Sequence, residues 1–180
     1  HDGVTHVTST LKIKRQGEEH APLILNGENM TLVSIAVDGS PAEYNLDDET
    51  LTLNDVPDQF ELLIKNDIDP ASNTALEGLY VSNGMYCTQC EAQGFRHITY
   101  FPDRPDVMAT FKVRIEADKG NYTVLLSNGN QVEAGDCAGD RHYVTWDDPF
   151  PKPSYLFALV AGDLACLEDH FTTRSGTKVT

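Results

Sequence analysis

Val107-Met108-Ala109-Thr110-Phe111-Lys112-Val113-Arg114-Ile115-Glu116 decides the fold. Val107, Ala109, Phe111, Val113 and Ile115 alternate with Met108, Thr110, Lys112, Arg114 and Glu116. That period of two belongs to a half-buried strand, because successive side chains of a strand point to opposite faces. Working outward, Asp118-Lys119-Gly120-Asn121 turns the chain into residues 122–126, and Ser127-Asn128-Gly129-Asn130 turns it again. Asn-Gly in the second turn supplies the positive φ values of a tight hairpin. A further strand over 142–146 follows the Gly139-Asp140 turn. Upstream, residues 30–37 and 42–44 flank Asp38-Gly39-Ser40-Pro41, and Tyr80-Val81 and Met85-Tyr86 flank Ser82-Asn83-Gly84, two more hairpin signatures. Short strands at this spacing predict an all-β, multi-stranded antiparallel β-sandwich, with more than about a third of the residues in strands, two or more packed sheets and almost no helix. The proline-rich Asp148-Pro149-Phe150-Pro151-Lys152-Pro153 reads as a rigid connector, and the apolar run over 155–161 as a strand covered on both faces. With no repeat, low-complexity tract or flexible linker, residues 1–180 read as one domain.

Apolar residues make up 40 % and charged residues 23 %, a globular balance that argues against disorder. Thirteen Lys and Arg against 28 Asp and Glu leave a formal charge of −15. That acidity excludes most nucleic-acid and anionic-membrane roles, which need clustered Lys and Arg. The longest apolar run, 155–161, falls far short of the roughly 20 residues a bilayer requires. The opening His1-Asp2-Gly3-Val4-Thr5 has neither the basic region nor the apolar stretch of a signal peptide, and no initiating Met. The close, Ser175-Gly176-Thr177-Lys178-Val179-Thr180, reads as the start of a further segment, so both ends are expected to be cut. Asn29-Met30-Thr31 and Asn121-Tyr122-Thr123 match the N-glycosylation sequon.

Cys87-Thr88-Gln89-Cys90 is a lone C-x-x-C, with Cys137 and Cys166 too far off in sequence to make a second pair. Reduced structural thiols are the leading reading, with a disulfide and a metal site as alternatives; Cys137 and His142 are the first candidates to complete a metal site. Histidines stand at 1, 6, 20, 97, 142 and 170, none followed by Glu and none with a second His four residues on. The H-E-x-x-H of zinc peptidases is therefore missing, as are a G-x-S-x-G elbow, a P-loop and a dinucleotide fingerprint. No catalytic residue and no metal ligand is assigned. What remains is Gln89 and Glu91, which a continuing strand would project to one face, an acceptor-rich pair suited to an ammonium group. On the residues alone, Glu91 reads first as a solvated acid or as the partner of Arg96.

Thr88-Gln89-x-Glu91, then Arg96, then Asp103-x-Pro105 resembles the N-terminal-domain signature of the M1 zinc aminopeptidases, T-Q-x-E, an Arg, then F-P-C-x-D-x-P. Thr99-Tyr100-Phe101 departs from F-P-C and points to the family's bacterial branch. Longer runs resemble that branch too, among them Leu76-Glu77-Gly78-Leu79-Tyr80, Gly94-Phe95-Arg96-His97-Ile98-Thr99-Tyr100 and Asp148-Pro149-Phe150-Pro151-Lys152-Pro153. The match runs from about residue 21 to 176. The resemblance implies a saddle-like β-rich domain that packs on a zinc-bearing catalytic domain expected after residue 180. It implies that Glu91 binds the α-ammonium of a peptide substrate and that Gln89 lines the pocket for the first side chain. The zinc ligands, the water-activating Glu and the G-x-M-E-N loop would then lie in the following domain, with no metal held here. Peptides recognised through a free N-terminus are the implied partners, with no nucleic acid and no membrane, in a cytoplasmic bacterial enzyme. From a different class, a free-standing β-sandwich binding module and a small C-x-x-C metal module are the alternatives.

Overall fold

Strands hold 53 % of the described residues, and no α-helix occurs among them. The computed structural model describes residues 3–17 and 21–180; His1 and His20, two of the histidines considered above, lie outside the described residues. The first half of the chain forms β1 (Thr5–Lys14), β2 (Leu23–Asn26), β3 (Thr31–Val37), β4 (Ser40–Pro41), β5 (Asn45–Leu46), β6 (Thr50–Leu53) and β7 (Gln59–Ile68). Next come β8 (Gly78–Ser82) and β9 (Met85–Gln89), then β10 (Ala109–Asp118), β11 (Val124–Ser127), β12 (Asn130–Cys137) and β13 (Arg141–Lys152). The chain closes with β14 (Leu159–Gly162), β15 (Phe171–Thr172) and β16 (Lys178–Val179). Their sheet orders are β1-β7-β3-β4, β2-β6-β5, β11-β14-β9-β8, β10-β13-β12 and β15-β16, every pairing antiparallel.

The apolar faces meet in three linked cores. Leu25, Leu51 and Leu53 from β2 and β6 pack on Ile35, Phe60, Leu62 and Ile64 from β3 and β7, with Tyr100 added. Ile115, Leu125 and Ala161 join β10, β11 and β14 at the other end. Between them lie Ile68, Leu79, Cys90, Phe95, Ile98, Phe101 and Phe157. Phe95 stands at the centre of this middle core, with T-shaped contacts to Phe101, Phe111 and Phe157 at centroid distances of 5.1, 5.8 and 5.1 Å. Buried Asn66 of β7 donates to the Ile98 carbonyl at 3.0 Å and accepts from the Thr99 hydroxyl at 3.0 Å. The segment between β9 and β10 is thereby tied to the first sheet.

Two hairpins follow their turn residues. Asp38 and Gly39 (φ 47° and 79°) connect β3 to β4, and Asn83 and Gly84 (φ 50° and 79°) connect β8 to β9, the positive-φ pairs of type I′ turns. The first turn takes only two residues, so its return strand is Ser40–Pro41 rather than 42–44. Two other expected turns are corners. β10 and β12 belong to one sheet while β11 belongs to another, so 118–121 and 127–130 carry the chain from sheet to sheet. Gly129, at φ 89°, is needed there because a Cβ would come within 2.3 Å of the Asp147 carbonyl oxygen. The proline-rich stretch is no connector up to Lys152 but the end of β13. There β13 has run past its pairing with β12, which begins at Asn130↔Asp147, and meets β10 through an irregular register, a setting that tolerates missing donors. The run over 155–161 is no doubly covered strand either: Ser154–Leu156 is a 3-10 turn and only Leu159 to Ala161 of the run enter β14.

Candidate functional site

β9 ends at Gln89, Cys90 drops into the middle core, and the chain turns at Glu91. The Gly94 amide closes the turn on the Cys90 carbonyl at 2.9 Å. Because the strand stops, alternation does not align Gln89 with Glu91. They meet instead through a local bond, the Gln89 Nε2 donating to the Glu91 carbonyl at 3.0 Å. Both side chains are exposed, and the Glu91–Ala92 peptide is cis. Gly94 makes the turn possible: a Cβ there would sit 2.1 Å from the Gln89 carbonyl oxygen and 2.9 Å from Cys90 Cα. Its φ of −76° is ordinary, so space alone is the constraint. Gly94→Ala is therefore expected to destabilise the fold by about 1–3 kcal/mol and to displace residues 89–91. Thermal unfolding together with amide exchange over 88–92 checks this, and unchanged exchange there would contradict it.

Arg96 is not the partner of Glu91. Its Nε donates to Asp103 Oδ2 at 3.0 Å, its Nη2 to the Asp103 carbonyl at 3.1 Å, and its Nη1 lies 3.6 Å from Glu28. Asp103, only 2 % exposed at the side chain, also accepts from the Ser154 hydroxyl. The motif's Arg and Asp thus lock the segment over 96–103 into the core, while the Glu91 carboxylate has no ion pair among the described residues. Beside it, Glu77 immediately precedes Gly78, which is paired with Gln89, and its carboxylate lies 3.4 Å from His97 Nε2. Glu28 approaches the same nitrogen at 4.0 Å. The sequence reading did not find Glu28, Glu77 or Ser154; the only signal was the opposite charges of Arg96 and Asp103.

The cysteines are all free thiols. Burial, reinforced by the charge of Asp103, pushes Cys90 up to about 12, so this thiol stays protonated and acts as an apolar side chain. Cys137 contacts Arg114 Nη2 at 3.6 Å, and His142 Nε2 is directed at the Tyr122 carbonyl at 2.7 Å. Among the described residues no three His, Cys, Asp or Glu side chains converge to hold a metal ion. The described residues do not fit a zinc site.

Residues 4–156 match the family model of the peptidase M1 N-terminal domain. The chain belongs to the M1 peptidase family. Its M1 relatives include the aminopeptidase N of Caulobacter vibrioides, 57 % identical over 182 residues that cover 99 % of this chain and 21 % of that protein. The aminopeptidase N of Escherichia coli is 54 % identical over 176 residues, covering 97 % and 20 %. The chain thus spans about a fifth of the length of these curated relatives. Among solved structures, Legionella pneumophila aminopeptidase A in complex with aspartic acid superposes with a TM-score of 0.91 at 37 % identity, covering 97 % of this chain and 21 % of that one. An M1 zinc metallopeptidase of Deinococcus radiodurans bound to a Tyr-Ser-Ala substrate gives 0.81 at 17 % identity, covering 99 % and 42 %, which shows a common fold. The all-β architecture is that of the M1 N-terminal domain.

Proposed function

We propose that residues 1–180 form one domain that recognises the free N-terminus of a peptide for a zinc aminopeptidase and closes its active-site cleft. Glu91 binds the substrate α-ammonium, and Gln89 lines the pocket for the first side chain. The observation that carries this reading is the exposed, unpaired Glu91 carboxylate beside an Arg96 already committed to Asp103 and Glu28. An exopeptidase must tell a chain end from a chain middle, and the difference is one positive charge. A carboxylate on a packed turn offers that charge acceptor atoms with little reorganisation, and the interaction strengthens once a neighbouring domain excludes water. The zinc would polarise the scissile carbonyl and activate water. Its ligands belong to a following catalytic domain, and the whole enzyme works in a bacterial cytoplasm.

This reading is checked in two steps. Past Thr180 the coding sequence is expected to continue into G-x-M-E-N and H-E-x-x-H; a stop codon there would favour a free-standing binding module instead. The 180-residue chain, assayed alone on an amino-acid arylamide, is expected to show no metal-dependent hydrolysis, and zinc-dependent turnover would overturn the division of labour. In the two-domain protein, Gln89→Ala is expected to cost only about 1 kcal/mol and to vary with the first side chain of the substrate, as for a neutral pocket residue.

A further inference from the structure

The last residue of β9 leans on a single neighbouring strand. β14 pairs with β9 only at Tyr86 and Cys87, so Thr88 and Gln89 are left to β8, through Leu79 and Gly78. The Thr88 hydroxyl adds bonds to the Leu159 backbone, which leaves Gln89 with Gly78. Gly78 is the first residue of β8 and follows Leu76, at φ 61°, and Glu77. A contact that fixes residues 77 and 78 therefore fixes Gln89 and, two residues on, the turn at Glu91.

His97 makes that contact. It ends the 3-10 turn Phe95–His97, and its side chain is only 12 % exposed. A ring so nearly buried is costly unless its nitrogens find partners. Nδ1 lies 3.4 Å from Asn29 Nδ2, which is a donor, so Nδ1 accepts and the ring carries its proton on Nε2. Nε2 faces the Glu77 carboxylate at 3.4 Å and that of Glu28 at 4.0 Å. Three segments thus meet on one imidazole: 28–29 between β2 and β3, residue 77 before β8, and the turn over 94–97. Backbone bonds close the arrangement. The His97 amide donates to the Gly94 carbonyl at 3.1 Å, and the Glu28 amide donates to the Arg96 carbonyl at 3.0 Å. Gly78 is pressed against the base of the same ring, since a Cβ there would come within 2.7 Å of His97 Cβ and 2.9 Å of the Gly94 carbonyl oxygen. Glu28 divides its carboxylate, one oxygen 3.6 Å from Arg96 Nη1 and the other 4.0 Å from His97 Nε2.

We propose that His97 is a positioning residue for the turn that carries Glu91. Its imidazole holds Glu77 and, through Gly78, the end of β9, so that Gln89 and Glu91 stand in one fixed relation to an arriving N-terminus. The inference rests on the role proposed above for Glu91 and adds the device that keeps its carboxylate in place. A turn already in its binding geometry loses less freedom when the ligand is bound, so the effect falls on KM rather than on kcat. A ring that only filled space could be exchanged for any other of similar size; one that positions needs its two nitrogens.

The test compares His97→Phe, which keeps a ring and removes both nitrogens, with His97→Gln, which keeps an acceptor toward Asn29 and a donor toward Glu77. Amide exchange in the 180-residue chain is read over 88–91, and slow exchange in central β7 reports an intact fold. His97→Phe is expected to speed exchange over 88–91 about tenfold, the effect of losing one hydrogen bond to a charged group, and His97→Gln to stay within about twofold of wild type. In the protein that joins this domain to a zinc peptidase domain, His97→Phe is expected to raise KM for a free-amine arylamide about tenfold with kcat changed less than about twofold, and His97→Gln to restore KM. Glu77→Ala alters a side chain 60 % exposed and should match His97→Phe in both readouts; it decides the matter if His97→Phe loses the protection of β7. The proposal is overturned if the Phe and Gln variants behave alike, or if Glu77→Ala leaves both exchange and KM unchanged. It is also overturned if kcat falls and KM does not. Wild-type efficiency of Glu91→Gln, with exchange still faster in His97→Phe, would overturn the role of Glu91 and leave His97 as the residue that holds the turn.

Discussion

Glu91→Ala, in a protein that joins this domain to a zinc peptidase domain, is expected to lower kcat/KM on a free-amine arylamide by about 10² or more, the consequence of leaving a desolvated ammonium unpaired. Zinc content and thermal stability should not change, because the carboxylate makes no ion pair with the described residues and its side chain is exposed. Glu91→Gln is expected to be nearly as damaging: it keeps the shape and the acceptor oxygen but loses the charge. The control is the N-acetylated substrate, which has no ammonium to bind. Wild-type enzyme should reject it, and the Glu91 variants should lose most of the discrimination between the two substrates. Equal cleavage of both by the wild type, or wild-type efficiency of the variants on the free amine, would remove Glu91 from the role of amine anchor.

The second large effect is on stability. Asp103→Ala is expected to destabilise the fold by about 3–5 kcal/mol, since it strands a cation with a side chain only 12 % exposed. Arg96 would keep its bond to the backbone carbonyl of residue 103 and its looser contact with Glu28, and the Ser154 hydroxyl would lose its acceptor. Urea denaturation gives the number. Arg96→Met with Asp103→Leu removes both charges and should recover much of the loss, because a buried pair replaced by apolar groups of similar volume is often neutral. A single-mutant loss below about 1 kcal/mol would mean that the pair behaves as an ordinary surface bridge. The two predictions separate two roles within one motif: the one proposed for Glu91, binding a ligand, and that of Arg96 and Asp103, holding the segment that follows its turn.

Much of the strand content is legible along the chain. The alternation over 107–116 fixes the inner and outer faces of β10, and Asp38-Gly39 and Asn83-Gly84 announce their hairpins, because both signals depend only on neighbouring residues. Gln89 and Glu91 stand out in the same way, as acceptors two positions apart. Sheet membership is a different matter. Asn128-Gly129 has the composition of a hairpin turn yet leads from β11 to a strand of another sheet. Nothing local distinguishes the two outcomes, since the choice rests on whether Leu125 packs with Ile115 and Ala161. The same holds for Pro149 and Pro151, whose place at the end of β13 depends on where β12 stops.

The sequence by itself therefore determined the class of the fold, the faces of its longest strands and the pair of polar residues worth attention, because side-chain period and turn chemistry are short-range properties. Only the tertiary structure decided what Glu91 is free to do. Arg96 lies five residues from Glu91 and is its natural partner in the sequence, but residues 28 and 103 claim the guanidinium and residue 154 anchors Asp103. An ion pair goes to the carboxylate that packing places within about 4 Å and shields from water, and sequence distance does not measure that.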